Sequence, residues 1–354
     1  MPLETPNRNN KEQRRQEIDD INERDAFTKL DPSGFFIRHP PKPHELHSFI
    51  TPDDKLFQTI HMGGAVVNLS RWKLKVTGMV KKTLMLDLDS LRRDFLVRTI
   101  MSFHECFGSP LKPAIENPWR IGNVRWTGVP LKEILLRAEP LPDATFVWSE
   151  GLDRGEYAGV EADCYRKDLP VEKAMCDEVL LAFAMNGEPL SKNRGGPVRL
   201  VVPGWFGTNS TKWISKIELQ DRRAPGPYTT IFYNVPEPNG TMKPVWKVDV
   251  NSMIFRPLPG AVFDERAISV EGWAWGPEGV DRVDVSKDGG ISWIRSQLGD
   301  RVDFSWQRFS IVMNLEPGPY TLVARASING GQKQPLSKAR NHCHYVQCEV
   351  RPIE

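Results

Sequence analysis

Between Asp221 and Lys247 the chain carries five prolines and two glycines, in RRAPGPYTT and NVPEPNGTMKP. Proline has no amide proton and a fixed φ, so neither a helix nor a central strand runs through such a stretch. The chain must therefore fold as two units joined by a linker, and the residue patterns on its two sides differ. Before it, strand-like runs (WKLKV, TFVWS, VLLAFAM, VRLVVP) alternate with SLRRDFL and VPLKEILLRA, whose leucines recur at three and four residues. This is the pattern of a mixed α+β domain. After it, ISVEGWAW, RVDVSKDGGISW, WQRFSIVMNL and YTLVARASI are short alternating runs divided by Gly, Pro and Asp-Gly turns. That spacing predicts an all-β, immunoglobulin-like sandwich of seven strands, with DGG closing a hairpin.

The predicted organisation is an N-terminal arm over residues 1–49, a mixed domain over 50–222, a linker over 223–246 and a sandwich over 247–354. The first 25 or so residues are polar and charged. Asp31 to Pro52, with prolines at 32, 40, 41, 43 and 52, reads as an extended segment laid over a surface. Length supports two domains, since 354 residues exceed what one core usually serves.

Lys and Arg number 47 against 45 Asp and Glu, with the signs interspersed. That balance excludes an electrostatic nucleic-acid scaffold and a polybasic membrane binder. No run approaches the eighteen or so apolar residues of a membrane-spanning helix. Five cysteines (Cys106, Cys164, Cys176, Cys343, Cys348) with no CxxC pair argue against a disulfide framework or a zinc cage. With no apolar leader and too many acids for a transit peptide, a cytoplasmic location is expected.

The residue with most chemical promise is Cys106 in MSFHECFGSP. It follows the strand-like run FLVRTIMSF and enters a loop with Gly108 and Pro110. A thiol at a strand end beside a glycine serves as a nucleophile or a soft-metal ligand, or is simply a buried, inert side chain. A Cys106–His104 dyad lacks the third group that would fix the imidazole tautomer.

Downstream come IGNVRWTGVPLKEIL, EGLD and then LLAFAMNGEPLSKNRGGPVRLVVPGWFGTNSTKWISKIEL. Together with the sandwich, in which GWAW and VSKDGGISW recur, these segments resemble the sulfite oxidase family of molybdopterin enzymes from about residue 50 to the end. The resemblance implies a molybdopterin-binding domain followed by a dimerisation domain, and a molybdenum–molybdopterin cofactor whose metal takes one protein thiolate, Cys106. It also implies cofactor contacts from Phe57, His61, Asp153, Arg194, Arg199, Ser210, Thr211 and Lys212, with Tyr165 and Trp119 as pocket residues. A soft, high-valent metal favours a thiolate, and Arg199 with Lys212 suits an anionic phosphate.

The chain departs from the family where sulfite is held. Thr59 and Leu111 stand at positions of pocket arginines, Cys343 aligns near a third, FGS replaces AGN after the cysteine, and Arg194 replaces a histidine. Lys112 or Arg120 would have to rebuild an anion site. The resemblance implies an oxidoreductase that moves an oxygen atom to or from a small sulfur-containing substrate, sulfite or another, and exchanges electrons with an external partner. It also implies a homodimer. The rival reading is a binding protein that keeps the fold without catalysis; a metal-free thiol hydrolase using Cys106 and His104 is a third.

Overall fold

The computed structural model describes residues 28–112, 117–328 and 331–352. The part of the predicted arm before residue 28 therefore lies outside the described residues. The first domain is built on two sheets. One orders the strands Arg166–Pro170, Phe146–Gly151, Ile214–Gln220, Leu74–Gly78 and Leu84–Leu86. The other orders Glu188–Pro189, Leu180–Met185, Ile121–Pro130 and Arg98–Glu105, with Arg199–Val201 also paired to Leu180–Met185. All neighbours are antiparallel except Ile214–Gln220 against Leu74–Gly78.

The two helices expected from leucine spacing form at Leu88–Asp94 and Leu131–Ala138. Asp87 starts the first, its carboxylate accepting from the Ser90 amide at 2.8 Å while Ser90 Oγ accepts from the Asp87 amide. In the second, Leu131, Ile134, Leu135 and Ala138 form one buried stripe at the i, i+3, i+4, i+7 spacing. Each buried Leu or Ile there contributes about 1.5–3 kcal/mol, and together they close one side of a core that includes Leu74, Val76, Val147, Ile217 and Leu219.

The second domain is the expected β-sandwich. It has nine strand segments rather than seven: a sheet of Asn251–Arg256, Ala267–Trp275, Gln307–Asn314 and Gln297–Leu298 faces one of Ala261–Phe263, Tyr345–Val350, Gly318–Ser327, Arg282–Ser286 and Ile294–Arg295. The excess comes from pieces of two or three residues, too short to leave an alternating trace in sequence.

The two domains share a core. Phe103, Trp119, Ile121 and Phe206 from the first pack with Met253, Phe255, Trp273, Trp275 and Trp306 from the second. Trp273 and Trp306 stack at 4.6 Å. The arm crosses this seam: Trp273 Nε1 donates to the Leu46 carbonyl at 2.6 Å, and Trp306 Nε1 to that of Phe49 at 2.9 Å. Before the seam the arm is not merely extended. Thr28–Ser33 pairs with Gly63–Val67, and Phe36–Arg38 with Gln58–Ile60. The linker is also structured, with a helical turn at Pro227–Thr230 and a hairpin of Asn234–Pro236 on Met242–Pro244. Among the described residues no helix is long and apolar enough to cross a membrane.

Candidate active site

Strand Arg98–Glu105 pairs in register with Ile121–Pro130, bringing Glu105 opposite Ile121. The chain then turns away, and the Cys106 amide donates to the Arg120 carbonyl at 2.9 Å. Cys106 thus stands at the end of a rigid ladder, partly exposed, its Sγ 3.9 Å from the Thr59 hydroxyl. It faces a cleft of about 700 Å³, open mouth included, lined by residues of the predicted set (Phe57, His61, Cys106, Asp153, Tyr165, Arg194, Arg199, Ser210 and Lys212). The same cleft also takes His104, Thr59, Thr208 and Tyr233.

The cations of this cleft are buried and short of countercharge. Arg199, 2% exposed, donates to the carbonyls of Arg194 and Ser210 at 3.1 and 3.0 Å and lies over the Trp126 ring. Burial, and then repulsion from Arg194, pull its pKa down to about 9. Lys212 Nζ donates to the Thr59 carbonyl at 2.8 Å. Burial, then the charges of Arg199 and Arg194, lower its pKa to about 7. Arg194 alone of the three has a carboxylate, Asp53 at 2.5 Å, and it also donates to the carbonyls of Phe57, Asp53 and Leu56. Asp153 is buried with Oδ1 unpartnered, and desolvation lifts its pKa to about 7.

An aromatic wall closes the other side. His61 Nε2 bonds the Tyr233 hydroxyl at 2.6 Å, and its ring meets Tyr157, Tyr165 and Tyr228. Burial, with Lys212 and Arg120 nearby, pushes the His61 pKa down to about 3, so the imidazole is neutral. The Tyr165 hydroxyl donates to the Thr208 carbonyl at 2.8 Å and meets the Thr208 hydroxyl at the same distance; burial raises its pKa.

Three expectations meet a different placement. Trp119 is 1% exposed and packs in the core between the domains rather than lining the cleft. Its ring lies among Phe103, Phe206 and the sandwich tryptophans because the strand it precedes runs along that seam. Thr211 is fully buried behind the cleft wall, its hydroxyl bonded to Ser149 Oγ at 2.7 Å. Neither cation considered for a rebuilt anion site is in the cleft lining itself: Lys112 is exposed, and Arg120, 6% exposed, reaches the cleft only through Thr59, to whose hydroxyl it donates. His104 lines the cleft stacked on Phe57, burial holding its pKa well below the usual imidazole value.

Sequence reasoning missed three contributors. Tyr228 and Tyr233 come from the linker, where the three aromatics of PYTTIFYNV were the one available sign. Arg340 comes from the sandwich. It donates to the carbonyls of Phe107, at 2.6 Å, and of Ser109, pairs with Glu105 at 3.4 Å, and lies over the Phe107 and Phe206 rings. The Cys106 loop is therefore held from the second domain as well as the first. Trp275 Nε1 completes the hold by donating to the other Glu105 oxygen at 2.8 Å.

Residues 61–228 match the oxidoreductase molybdopterin binding domain, and residues 242–343 the Mo-co oxidoreductase dimerisation domain. Sulfite oxidase of Gallus gallus is 30% identical over 334 residues, covering 86% of this chain and 72% of that protein. The chain belongs to the sulfite oxidase family of molybdopterin-dependent oxidoreductases. Mitochondrial sulfite oxidase of Drosophila melanogaster is also 30% identical, over 92% of this chain and 60% of that protein; for the Mus musculus protein the shares are 74% and 52%. Several relatives are thus considerably longer than the part matched here. Among solved structures, the sulfane dehydrogenase SoxCD from Paracoccus pantotrophus aligns with a TM-score of 0.77 and 27% identity, over 89% of this chain and 88% of that one.

The cleft fits the family's cofactor on its own chemistry. Among the described residues no three His, Cys, Asp or Glu side chains gather as a metal cage, so a metal at Cys106 takes its other ligands from outside the polypeptide. Arg199 and Lys212 without carboxylates suit an anionic group, since buried cations are stable only when paired. The unpartnered Asp153 Oδ1 and Gln58 Nε2 supply an acceptor and a donor for a polar heterocycle.

Proposed function

We propose that this chain transfers an oxygen atom to or from a small sulfur-containing substrate at a molybdenum–molybdopterin centre and exchanges electrons with an external partner. The observation that carries the reading is the meeting, in a single cleft, of one accessible thiol with Arg199 and Lys212, two cations that donate to carbonyls and to no carboxylate. In this reading Cys106 ligates the metal as thiolate, coordination removing its proton. Arg199, Lys212 and Ser210 hold the anionic part of the cofactor, and Phe57, His61, Asp153 and Arg194 shape the rest of its seat. When bound, the cofactor supplies oxygen-atom exchange and two-electron storage.

The polypeptide then orients and desolvates. The Tyr165 hydroxyl, which donates to the Thr208 carbonyl, would exchange that bond to donate to oxygen at the reacting centre; burial keeps it protonated. The Tyr233–His61 pair closes the aromatic side against water. Arg340 and Trp275 fix Glu105, the residue before the ligand, so the sulfur does not drift during turnover. The sandwich is the surface through which two copies pair in this proposal, and sedimentation of a monomer at micromolar concentration refutes that part.

The test of the main reading is metal analysis with an absorption spectrum. About one molybdenum per chain and a thiolate-to-metal band are expected, and Cys106→Ser should lose both the band and turnover. A metal-free protein from cells with ample cofactor supply would establish the rival, a binding protein without catalysis.

A further inference from the structure

Arg120 is a buried guanidinium with no carboxylate beside it among the described residues. Its Nη1 donates to the Thr59 hydroxyl at 3.3 Å, and its Nε has no hydrogen-bond partner. The same Thr59 hydroxyl stands 3.9 Å from Cys106 Sγ, so the cation and the thiol flank one side chain. Tyr157, at the mouth, feels both the Cys106 sulfur and the Arg120 charge.

The loop after Cys106 is shaped around this guanidinium. A Cβ on Gly108 would stand 1.7 Å from Arg120 Nη2, and Gly108 does not have a positive φ. Space for the arginine, rather than a special backbone conformation, is therefore what glycine supplies here. Ser109, the next residue, accepts from the Arg120 amide through its hydroxyl at 2.8 Å. Sequence places Arg120 and Cys106 fourteen residues apart; the ladder between their strands brings both to one rim.

The other cations do not duplicate it. Arg194 is paired with Asp53, and in the reading above Arg199 and Lys212 are taken by the anionic part of the cofactor. In this reading a substrate beside the thiol meets the Thr59 hydroxyl and the Phe107 ring of the cleft lining, with the unpaired Arg120 guanidinium directly behind Thr59. A single buried positive charge is neutralised by one negative charge, and a second negative charge brought in with it would stay uncompensated and desolvated. The forked guanidinium geometry suits oxygens of an oxyanion.

We propose that Arg120 and Thr59 form the substrate-anion subsite, one that selects a singly charged sulfur oxyanion with an apolar body over a doubly charged one. The proposal rests on the reading of the cleft given above, because it places the substrate beside Cys106. It assigns Arg120 a role in specificity and leaves cofactor retention to Arg199, Lys212 and Ser210.

The test is calorimetric binding of three unreactive probes to the molybdenum-loaded protein: methanesulfonate, its uncharged isostere dimethyl sulfone, and sulfate. Wild-type protein is expected to prefer methanesulfonate over both by about tenfold or more. Arg120→Gln should erase the preference over dimethyl sulfone while molybdenum content stays at the wild-type value. Thr59→Val, which keeps the volume and removes the hydroxyl, should weaken methanesulfonate by several-fold. If Arg120→Gln does not accumulate as folded protein, Arg120→Lys carries the test, because an ammonium cannot bridge Thr59 and an oxyanion with the same fork. Equal affinity for methanesulfonate in wild type and variant, or tighter binding of sulfate by wild type, overturns the proposal. Molybdenum measured on the same samples separates the two failures: a wild-type protein without metal overturns both the functional reading and the subsite, whereas loaded protein with equal affinities overturns the subsite alone.

Discussion

Replacing Arg340 with Met tests whether the second domain holds the metal-ligand loop. The change keeps the aliphatic stem over Phe107 and Phe206 and removes the donors to the carbonyls of Phe107 and Ser109. It also strips Glu105, 2% exposed, of the one cation paired with it among the described residues and leaves it with Trp275. Breaking a buried pair by removing one partner costs about 3–5 kcal/mol. Arg340 is 22% exposed and 3.4 Å from the carboxylate, so solvent already screens part of the attraction. Burial lifts the Glu105 pKa to about 7, and without Arg340 the carboxyl takes up a proton near neutral pH instead of standing as a bare charge. With the lost donors to two carbonyls we expect a loss of about 1–3 kcal/mol, which at about 2 °C per kcal/mol lowers Tm by about 2–6 °C. Adding Glu105→Gln removes the remaining ionisation cost, so the double variant should recover part of that loss. Differential scanning calorimetry on the four proteins of the cycle, with molybdenum content on each, is the assay. If Arg340→Met melts within about 1 °C of wild type and retains full metal, or if Glu105→Gln recovers nothing, the loop is not held as described.

Three further expectations follow from other parts of the molecule. Cofactor-free protein should bind sulfate more weakly as pH rises through about 7. Lys212, with its pKa lowered to about 7, loses its positive charge there, and Asp153, raised to about 7, gains a negative one, so both changes disfavour an anion; tighter sulfate binding at pH 8 than at pH 6 contradicts this. Cys106→Ser should unfold like wild type when both are cofactor-free, because only a weak contact to Thr59 is lost; a large fall in Tm would mean the thiol is a packing residue. Gly272→Ala should destabilise the sandwich by about 3 kcal/mol or more, since its Cβ would sit 2.3 Å from both the Met253 carbonyl and the Phe309 ring, and urea unfolding gives the number.

Local patterns were legible where the physics is local. Proline spacing divides the chain, leucine periodicity marks Leu131–Ala138, and alternation marks the sandwich strands. Cys106 was legible as the end of a strand because FLVRTIMSF precedes it. The failures share a cause: each depends on which surface a residue meets after distant segments pair. Trp119 precedes a strand that faces the inter-domain seam, which sequence does not reveal. Thr211 and Lys212 are neighbours in a motif, yet one turns to Ser149 and the other to Thr59. Arg120 lies next to that tryptophan and comes beside Thr59 and Cys106 only through the register of Arg98–Glu105 on Ile121–Pro130. Tyr233 sits in a proline-rich stretch whose composition predicts a passive connector, and the hydrogen bond to His61 spans 172 positions.

The arm that crosses the seam has a consequence for how the molecule is made. Leu46 and Phe49 emerge early from the ribosome, but the indoles that grip their carbonyls lie 227 and 257 positions later. Closing loops of that length is slow, and the arm has no final resting place until the sandwich strands that carry Trp273 and Trp306 have been made. Maturation therefore cannot proceed strictly one domain after the other. In the proposed reading the rim that receives the metal sets only once both domains are present, so prosthetic-group insertion follows synthesis of the sandwich.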